Sequence, residues 1–375
     1  MKKIVALLIT VIMICFALVS CFENLGEVLD YTSESRSKKA TTSASESSDT
    51  EESSDETTSR TKYTESEEEE EFVPPADQGA KLVGFCTEAS KYNGPFNSDV
   101  GWTAAGMGYF IRTESGSLIV IDGGNTEDAV KFYKLLKKYS LTEHITVDYW
   151  ILTHPHSDHV NCLIEMSEYK YMMDGMTIKN LVYDFPTKLK EGTDASTSAN
   201  YKEKFDGIAQ QIGANVIQPQ KNQKIELSDA TIEFLYVPST KSGWGNKYEY
   251  ESLTKINQLS LIFTVTTSKK IMFTGDAFER SLESVYNAYR WSNSSALDCD
   301  ILQMPHHFLC DTGYKSFYDK VNAETLLLPA CKSGYEAMKN SDEYKDKAEN
   351  KINLAAESKA EKVYKAFEGD FEIDI

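Results

Sequence analysis

Short apolar runs separated by turn chemistry organise the chain from Lys81 onward. Residues 82–86, 109–113 and 117–122 have the length and the Val, Ile, Phe and Tyr content of strands. Glu114-Ser115-Gly116-Ser117, between the last two, predicts a hairpin. The period changes over 126–139, where Ala129, Val130, Phe132, Tyr133, Leu135 and Leu136 fall at helical spacing. Strands are expected at 147–153, 181–183, 225–227 and 231–237, and a helix from Asp158 onward. A second hairpin joins 259–266 to 270–274 through Thr267-Ser268-Lys269. The rest reads as a helix at 277–289, a strand at 300–304, a helix at 316–321 and a strand at 325–328. A charged helical region at about 341–361 and a strand at 371–375 follow. Hairpin strands followed by helices predict layered sheets covered by helices.

The chain ahead of Lys81 follows other patterns. Lys2 and Lys3 precede an apolar run over 4–19, short for a membrane span, which ends in Leu18-Val19-Ser20-Cys21. Small residues before a cysteine at the end of such a run resemble the lipobox of bacterial lipoproteins. The resemblance implies cleavage before Cys21, a lipid on Cys21, and an extracytoplasmic protein anchored to the bacterial cell membrane through that lipid only. An ordinary secretory signal with a chance cysteine is the alternative. Residues 27–75 are dominated by Ser, Thr, Glu and Asp, with five glutamates at 67–71. Such a segment cannot bury enough apolar surface to offset its ordering entropy, and like charges extend it. The expected organisation is a signal peptide over 1–20, a lipidated N-terminus and disordered acidic linker over 21–75, and one folded domain over 76–375.

Composition sharpens this division. Residues 22–71 carry 16 Asp or Glu against five Lys or Arg, so most of the net charge of −19 belongs to the linker. The remaining body is still acidic and is a poor non-specific nucleic-acid binder, because phosphate binding runs on Lys and Arg. With 41% hydrophobic residues the chain can build a real core. Seven cysteines with no CxxC pair do not read as a disulfide framework. Cys15 would leave with the signal.

The chemistry concentrates at Thr153-His154-Pro155-His156-Ser157-Asp158-His159, which holds three of the six histidines. Imidazole and carboxylate suit zinc and similar first-row ions. Two histidines at alternate positions of an extended segment can face one side, and an Asp-His pair at the following helix start can face a second ion. Burying three imidazoles and a carboxylate without metal would be costly.

These residues resemble the metallo-β-lactamase superfamily, and within it the competence-protein (ComEC-like) hydrolase branch. Gly106-Met107-Gly108-Tyr109-Phe110-Ile111 is similar to that branch's opening. Leu118 to Gly124 resembles its first Asp motif, and Asn257-Gln258-Leu259-Ser260-Leu261 its Asn-x-x-Ser-Leu strand. Phe273-Thr274-Gly275-Asp276 resembles its Gly-Asp motif, and Asp300 to His307 its closing strand and double histidine. Lys362-Val363-Tyr364 and Gly369 to Ile373 resemble its ending.

The resemblance implies an α/β fold, the four-layer αββα sandwich, and two divalent metal ions, zinc or manganese. His154 and His156 would hold the first ion, Asp158 and His159 the second, and Asp276 would bridge. His306 would complete the second site and His307 would contact substrate or donate a proton, although their order could be reversed. Asp122 and Asn257 would brace the ligands from behind. Trp244, Tyr248 and Tyr250, in a polar and aromatic stretch over 239–252, would overhang the mouth or pack on its rim.

Three departures matter. No histidine lies between His159 and His306, so the usual third-motif histidine is absent, and Asp184 is a weak substitute. Tyr109 stands where the branch has Asp, and Phe308 where it has Gly; both are expected near the mouth. His144 reads as a surface residue, Cys162 as a buried helical cysteine, and Cys310, close to His307 in sequence, as a lesser candidate for a soft ligand. The implied activity is hydrolysis by metal-activated water of a small or single-stranded phosphodiester, with catalysis centred on Asp158 and His307. The alternatives are hydrolysis of a carboxylic ester, lactone or thioester, or a non-catalytic surface binding protein with a metal site.

Overall fold

The computed structural model describes residues 72–97, 106–186, 201–239, 255–309 and 312–375, all within the unit Glu69–Ile375. The expected signal peptide, Cys21, nearly all of the acidic linker, Trp244, Tyr248, Tyr250 and Cys310 lie outside the described residues.

Two seven-stranded sheets carry the molecule. The first holds β1 (Lys81–Gly84), β2 (Gly108–Arg112), β3 (Leu118–Asp122), β4 (Ile145–Ile151), β5 (Met176–Val182), β6 (Asn215–Ile217) and β14 (Phe371–Asp374), in the order β14-β1-β2-β3-β4-β5-β6. The second holds β7 (Lys224–Glu226), β8 (Thr231–Tyr236), β9 (Ile262–Thr266), β10 (Lys270–Phe273), β11 (Ile301–Gln303), β12 (Thr325–Leu328) and β13 (Lys362–Lys365), in the order β13-β12-β11-β10-β9-β8-β7. Helices α1 (Ala129–Tyr139), α2 (Ser157–Glu168), α3 (Lys170–Asp174) and α4 (Tyr201–Ile212) accompany the first sheet. Helices α5 (Glu279–Tyr289), α6 (Lys315–Val321), α7 (Lys332–Asn340) and α8 (Ala348–Lys359) accompany the second.

Alternation along the strands builds the layers. Ile119 and Ile121 of β3 point between the sheets, with Ile111, against Ile232, Phe234, Phe263 and Phe273. Leu118 and Val120, one position out of phase, pack outward on Phe132, Leu136 and Leu163. On the far side Leu302, Leu326 and Leu328 meet Leu282, Val285, Phe317 and Val321. Strands buried on both faces read as continuous apolar runs rather than alternating ones. The result is the four-layer αββα sandwich.

Each sheet changes character once. β14, β1, β2 and β3 are antiparallel neighbours, then β3 to β6 run parallel. β7 to β10 are antiparallel, then β10 to β13 run parallel. Both changes occur at strands whose C-terminal ends carry a carboxylate, Asp122 as the last residue of β3 and Asp276 just past β10. The carboxyl ends of strands are the usual ligand positions of α/β folds.

Several elements differ from expectation. The helix expected over 126–139 opens with a tight turn, Thr126–Asp128, whose Asp128 carboxylate accepts from the Glu88 and Asn125 backbone N–H groups at 2.7 and 2.8 Å. α4 and α7 form where no helix was expected, although Phe205, Ile208, Ala209 and Ile212 of α4 do fall at helical spacing. The charged region over 341–361 is helical only across Ala348–Lys359.

Candidate metal centre

Asp122 closes β3 with φ +54°, and Gly124 follows at +93°. Asp tolerates the left-handed region better than most residues. The turn aims its fully buried carboxylate at the end of β4. There Oδ1 accepts from Thr153 N at 2.7 Å, while Oδ2 accepts from Thr153 Oγ1 at 2.8 Å and lies 2.7 Å from His159 Nδ1. The Trp150 indole N–H donates to the Asp122 carbonyl at 2.9 Å and ties the turn to β4.

These bonds settle which ring nitrogen faces inward. A carboxylate only accepts, so His159 Nδ1 donates to Asp122 and Nε2 is the nitrogen turned to the cluster. Thr153 has given its one hydroxyl proton to Asp122, so it accepts from His154 Nδ1 at 3.1 Å, and His154 Nε2 accepts from His156 Nδ1 at 3.0 Å. His307 Nδ1 lies 2.9 Å from the Pro329 carbonyl, which only accepts, so Nδ1 donates there and Nε2 is the nitrogen turned to the cluster.

The three Nε2 atoms converge on Asp276. Its Oδ2 lies 3.6 Å from His154 Nε2, 3.2 Å from His159 Nε2 and 3.2 Å from His307 Nε2. Asp158 Oδ2 lies 2.9 Å from His307 Nε2 and 3.5 Å from His159 Nε2. Ligand atoms of Asp158, His159, Asp276 and His307 all lie within 4.8 Å of one another, as do those of His154, His156 and Asp276. Two groups thus share one carboxylate. Among the described residues, Asp276 Oδ1, His159 Nε2 and His307 Nε2 are buried without a hydrogen bond of proper geometry. Orphaned buried atoms of this kind, in a nitrogen and oxygen set, fit a divalent first-row ion.

The electrostatics suit a site for a cation. Burial lowers the pKa of His307, but Asp276 and Asp158 beside it outweigh burial and push it up to about 10. His159 is likewise driven down by burial, yet carried well above its ordinary value by Asp276, Asp158 and Asp122. Burial raises the Asp158 and Asp276 carboxyls, but His159 and His307 hold both below the usual carboxylate range. His154 falls well below its ordinary value through burial and the adjacent His159. A set this acidic draws in either protons or metal. His156 is half-buried and Ser157 exposed, so the site meets solvent on that side.

His306 occupies a different place from the ligand position expected for it. Its backbone N–H donates to Gly275 O at 3.2 Å, and its ring meets Phe278 with centroids 5.0 Å apart. His307 is the residue brought beside Asp158 and Asp276. The reason is a run of three left-handed residues, His306, His307 and Phe308, at φ +49°, +53° and +65°. Strand alternation does not carry through such a turn.

Behind the ligands, Ser260 Oγ accepts from Asp276 N at 3.0 Å. Asn257 is buried in the turn Ile256–Leu259 that leads to Ser260, and its Oδ1 has no hydrogen-bond partner among the described residues. Asp184 stays outside both ligand groups, its carboxylate accepting from Gln218 Nε2 and Ser239 N at 2.8 Å each. Tyr109 and Phe308 are not at a mouth. Tyr109 lies between the sheets beside Phe273 and Phe371, and Phe308 packs on Tyr335, because both side chains follow the apolar layers. Cys162 is buried against Gly123 and Met166, and exposed His144 bonds Thr177. Thr153, Ser260 and Gln303 contribute to the site without having been singled out. Their hydrogen-bond roles depend on partners distant in sequence.

Residues 104–175 match the family model of the metallo-beta-lactamase superfamily. No curated protein matches the sequence. Among solved structures, the metallo-beta-lactamase fold protein YhfI from Bacillus subtilis is 16% identical, over 78% of this chain and 100% of that one, with a TM-score of 0.44. Zn(2+)-bound PqqB from Methylobacterium extorquens is 8% identical, over 79% of this chain and 100% of that one, with a TM-score of 0.45. CmlA, a diiron beta-hydroxylase from Streptomyces venezuelae, is 9% identical, over 79% of this chain and 54% of that one, with a TM-score of 0.45. The fold and the family-model match together support the metallo-β-lactamase superfamily.

Proposed function

We propose that this protein is a metal-dependent hydrolase of phosphodiesters, holding two divalent ions, zinc or manganese, and anchored outside the cell membrane through a lipid on Cys21. The observation that carries the hydrolase reading is the carboxylate of Asp276 shared between two groups of ligand atoms. His154, His156 and Asp276 would hold one ion, and Asp158, His159, His307 and Asp276 the other. Ions bound there would supply Lewis-acid polarisation and activate a water for attack.

The chain's own residues do the positioning. Asp122, Thr153 and the Pro329 carbonyl fix His159, His154 and His307 with their Nε2 atoms inward. Asp158, the more exposed of the two cluster carboxylates, and half-buried His156 line the approach from solvent.

Support for a phosphodiester comes from the ligand set. The third-motif histidine is absent, and Asp184 is held elsewhere by Gln218 and Ser239, which resembles the competence-type branch more than β-lactamases. The acidic body favours a small or single-stranded substrate over long duplex. Support for anchoring is the charged start, apolar run and cysteine over residues 2–21.

Hydrolysis of bis-p-nitrophenyl phosphate, compared with p-nitrophenyl acetate and a β-lactam, tests the substrate class. Turnover of the phosphodiester is expected; turnover of the carboxylic ester alone overturns this reading. Labelling with a radioactive fatty acid tests the anchor, which fails if Cys21→Ser is labelled as strongly as the wild type.

A further inference from the structure

Gln303 is a polar side chain in a fully buried position, the last residue of β11. An unpaired amide there would cost heavily. Instead every hydrogen-bonding position of its carboxamide is used. Oε1 accepts from Thr274 N and Gly275 N, both at 2.8 Å. Nε2 donates to Gly275 O at 3.1 Å and to Met304 O at 2.6 Å. The backbone adds to this, since Thr274 Oγ1 donates to Gln303 O at 2.8 Å.

The position of these bonds matters. The parallel β10–β11 ladder pairs Ile271 with Ile301 and Met272 with Leu302, and β10 itself ends at Phe273. The Gln303 amide then stands in for a strand across Thr274 and Gly275, the two residues before Asp276. Gly275 has φ +53°, and a Cβ there would lie 2.9 Å from Thr153. Through Met304 O the same amide grips the start of the segment that turns into His307, and Gly275 O also receives His306 N at 3.2 Å. One side chain therefore couples the loop of the shared carboxylate to the loop that carries His307.

We propose that Gln303 is a positioning residue of the metal centre, setting Asp276 and His307 at their mutual distance without touching an ion. The inference rests on the two-ion reading above. Its test is cobalt(II) titration of the purified full chain, read by visible absorption and by competition with a chelator. Wild type is expected to take up cobalt with the ligand-field bands of a nitrogen and oxygen site. Gln303→Met, nearly isosteric but without hydrogen bonds to the loop, is expected to stay folded by circular dichroism. It should bind cobalt about 10–100-fold more weakly, as is typical when a partner behind a ligand is lost, with altered bands. Should the methionine variant not fold, Gln303→Asn keeps the amide but is one methylene too short to reach both Gly275 and Met304, and is expected to move affinity and bands in the same direction. A folded variant with wild-type affinity and spectrum overturns the role of Gln303 and leaves the two-ion reading standing. A wild-type chain that binds no cobalt overturns both.

Discussion

Replacing Asp122 by Asn isolates the brace behind the ligands. The substitution preserves volume, and Asn accepts the left-handed φ of +54° as readily as Asp, so the backbone is not disturbed. What changes is one acceptor oxygen, which becomes an NH2 group. If the amide oxygen takes the Oδ2 position, it keeps Thr153 Oγ1 and His159 Nδ1, but the NH2 then faces the Thr153 N–H that now donates at 2.7 Å. A buried donor is left unpaired, at a cost of about 1–3 kcal/mol, and a charge-assisted bond is lost. If the amide is flipped, Thr153 N is satisfied but the NH2 donates to His159 Nδ1. The ring must then carry its proton on Nε2, the atom 3.2 Å from Asp276, and it no longer offers a lone pair. Either outcome weakens the centre, so metal affinity should fall about 10–100-fold and stability by roughly 2–3 kcal/mol. Chelator competition with zinc reads the first quantity, and thermal unfolding of the metal-free protein reads the second. Unchanged zinc affinity in a folded Asp122→Asn chain would refute the claim that Asp122 sets the His159 tautomer.

Three further outcomes are expected. Gly275→Ala places a methyl 2.9 Å from Thr153 Cβ and Oγ1 in a left-handed backbone, and should cost more than about 1 kcal/mol in urea unfolding together with loss of metal. Metal affinity should rise with pH: without metal His307 holds its proton up to about 10, an entering ion must displace that proton, and competition eases as pH climbs towards that value. Proton release on zinc addition, measured by pH-stat at pH 7, checks the sign, and uptake of protons would contradict it. Asp184→Asn should keep wild-type zinc affinity, because its carboxylate serves Gln218 and Ser239; a marked loss would make Asp184 a ligand after all.

The sequence revealed some parts of this centre and not others, for physical reasons. The segment from His154 to His159 was legible because its ligands are close in the chain and follow a strand that periodicity exposes. Strands such as β3 and β12 were legible because both faces are buried, which leaves unbroken apolar runs. The choice between His306 and His307 was not, since it depends on three successive left-handed residues that no residue type announces. Tyr109 and Phe308 were placed at a mouth by family position, but their rings follow the apolar layers. Gln303 looked like one more residue of a buried strand, and its role exists only through contact with residues 274 and 275, nearly thirty positions earlier.

The central claim is that Asp276 is shared by two ions. Anomalous scattering from a crystal of the zinc-loaded protein tests it most directly. The account predicts two peaks on either side of the Asp276 carboxylate, one against His154 and His156, the other against Asp158, His159 and His307. No peak at Asp276, or a peak bound by His306 in place of His307, would contradict it.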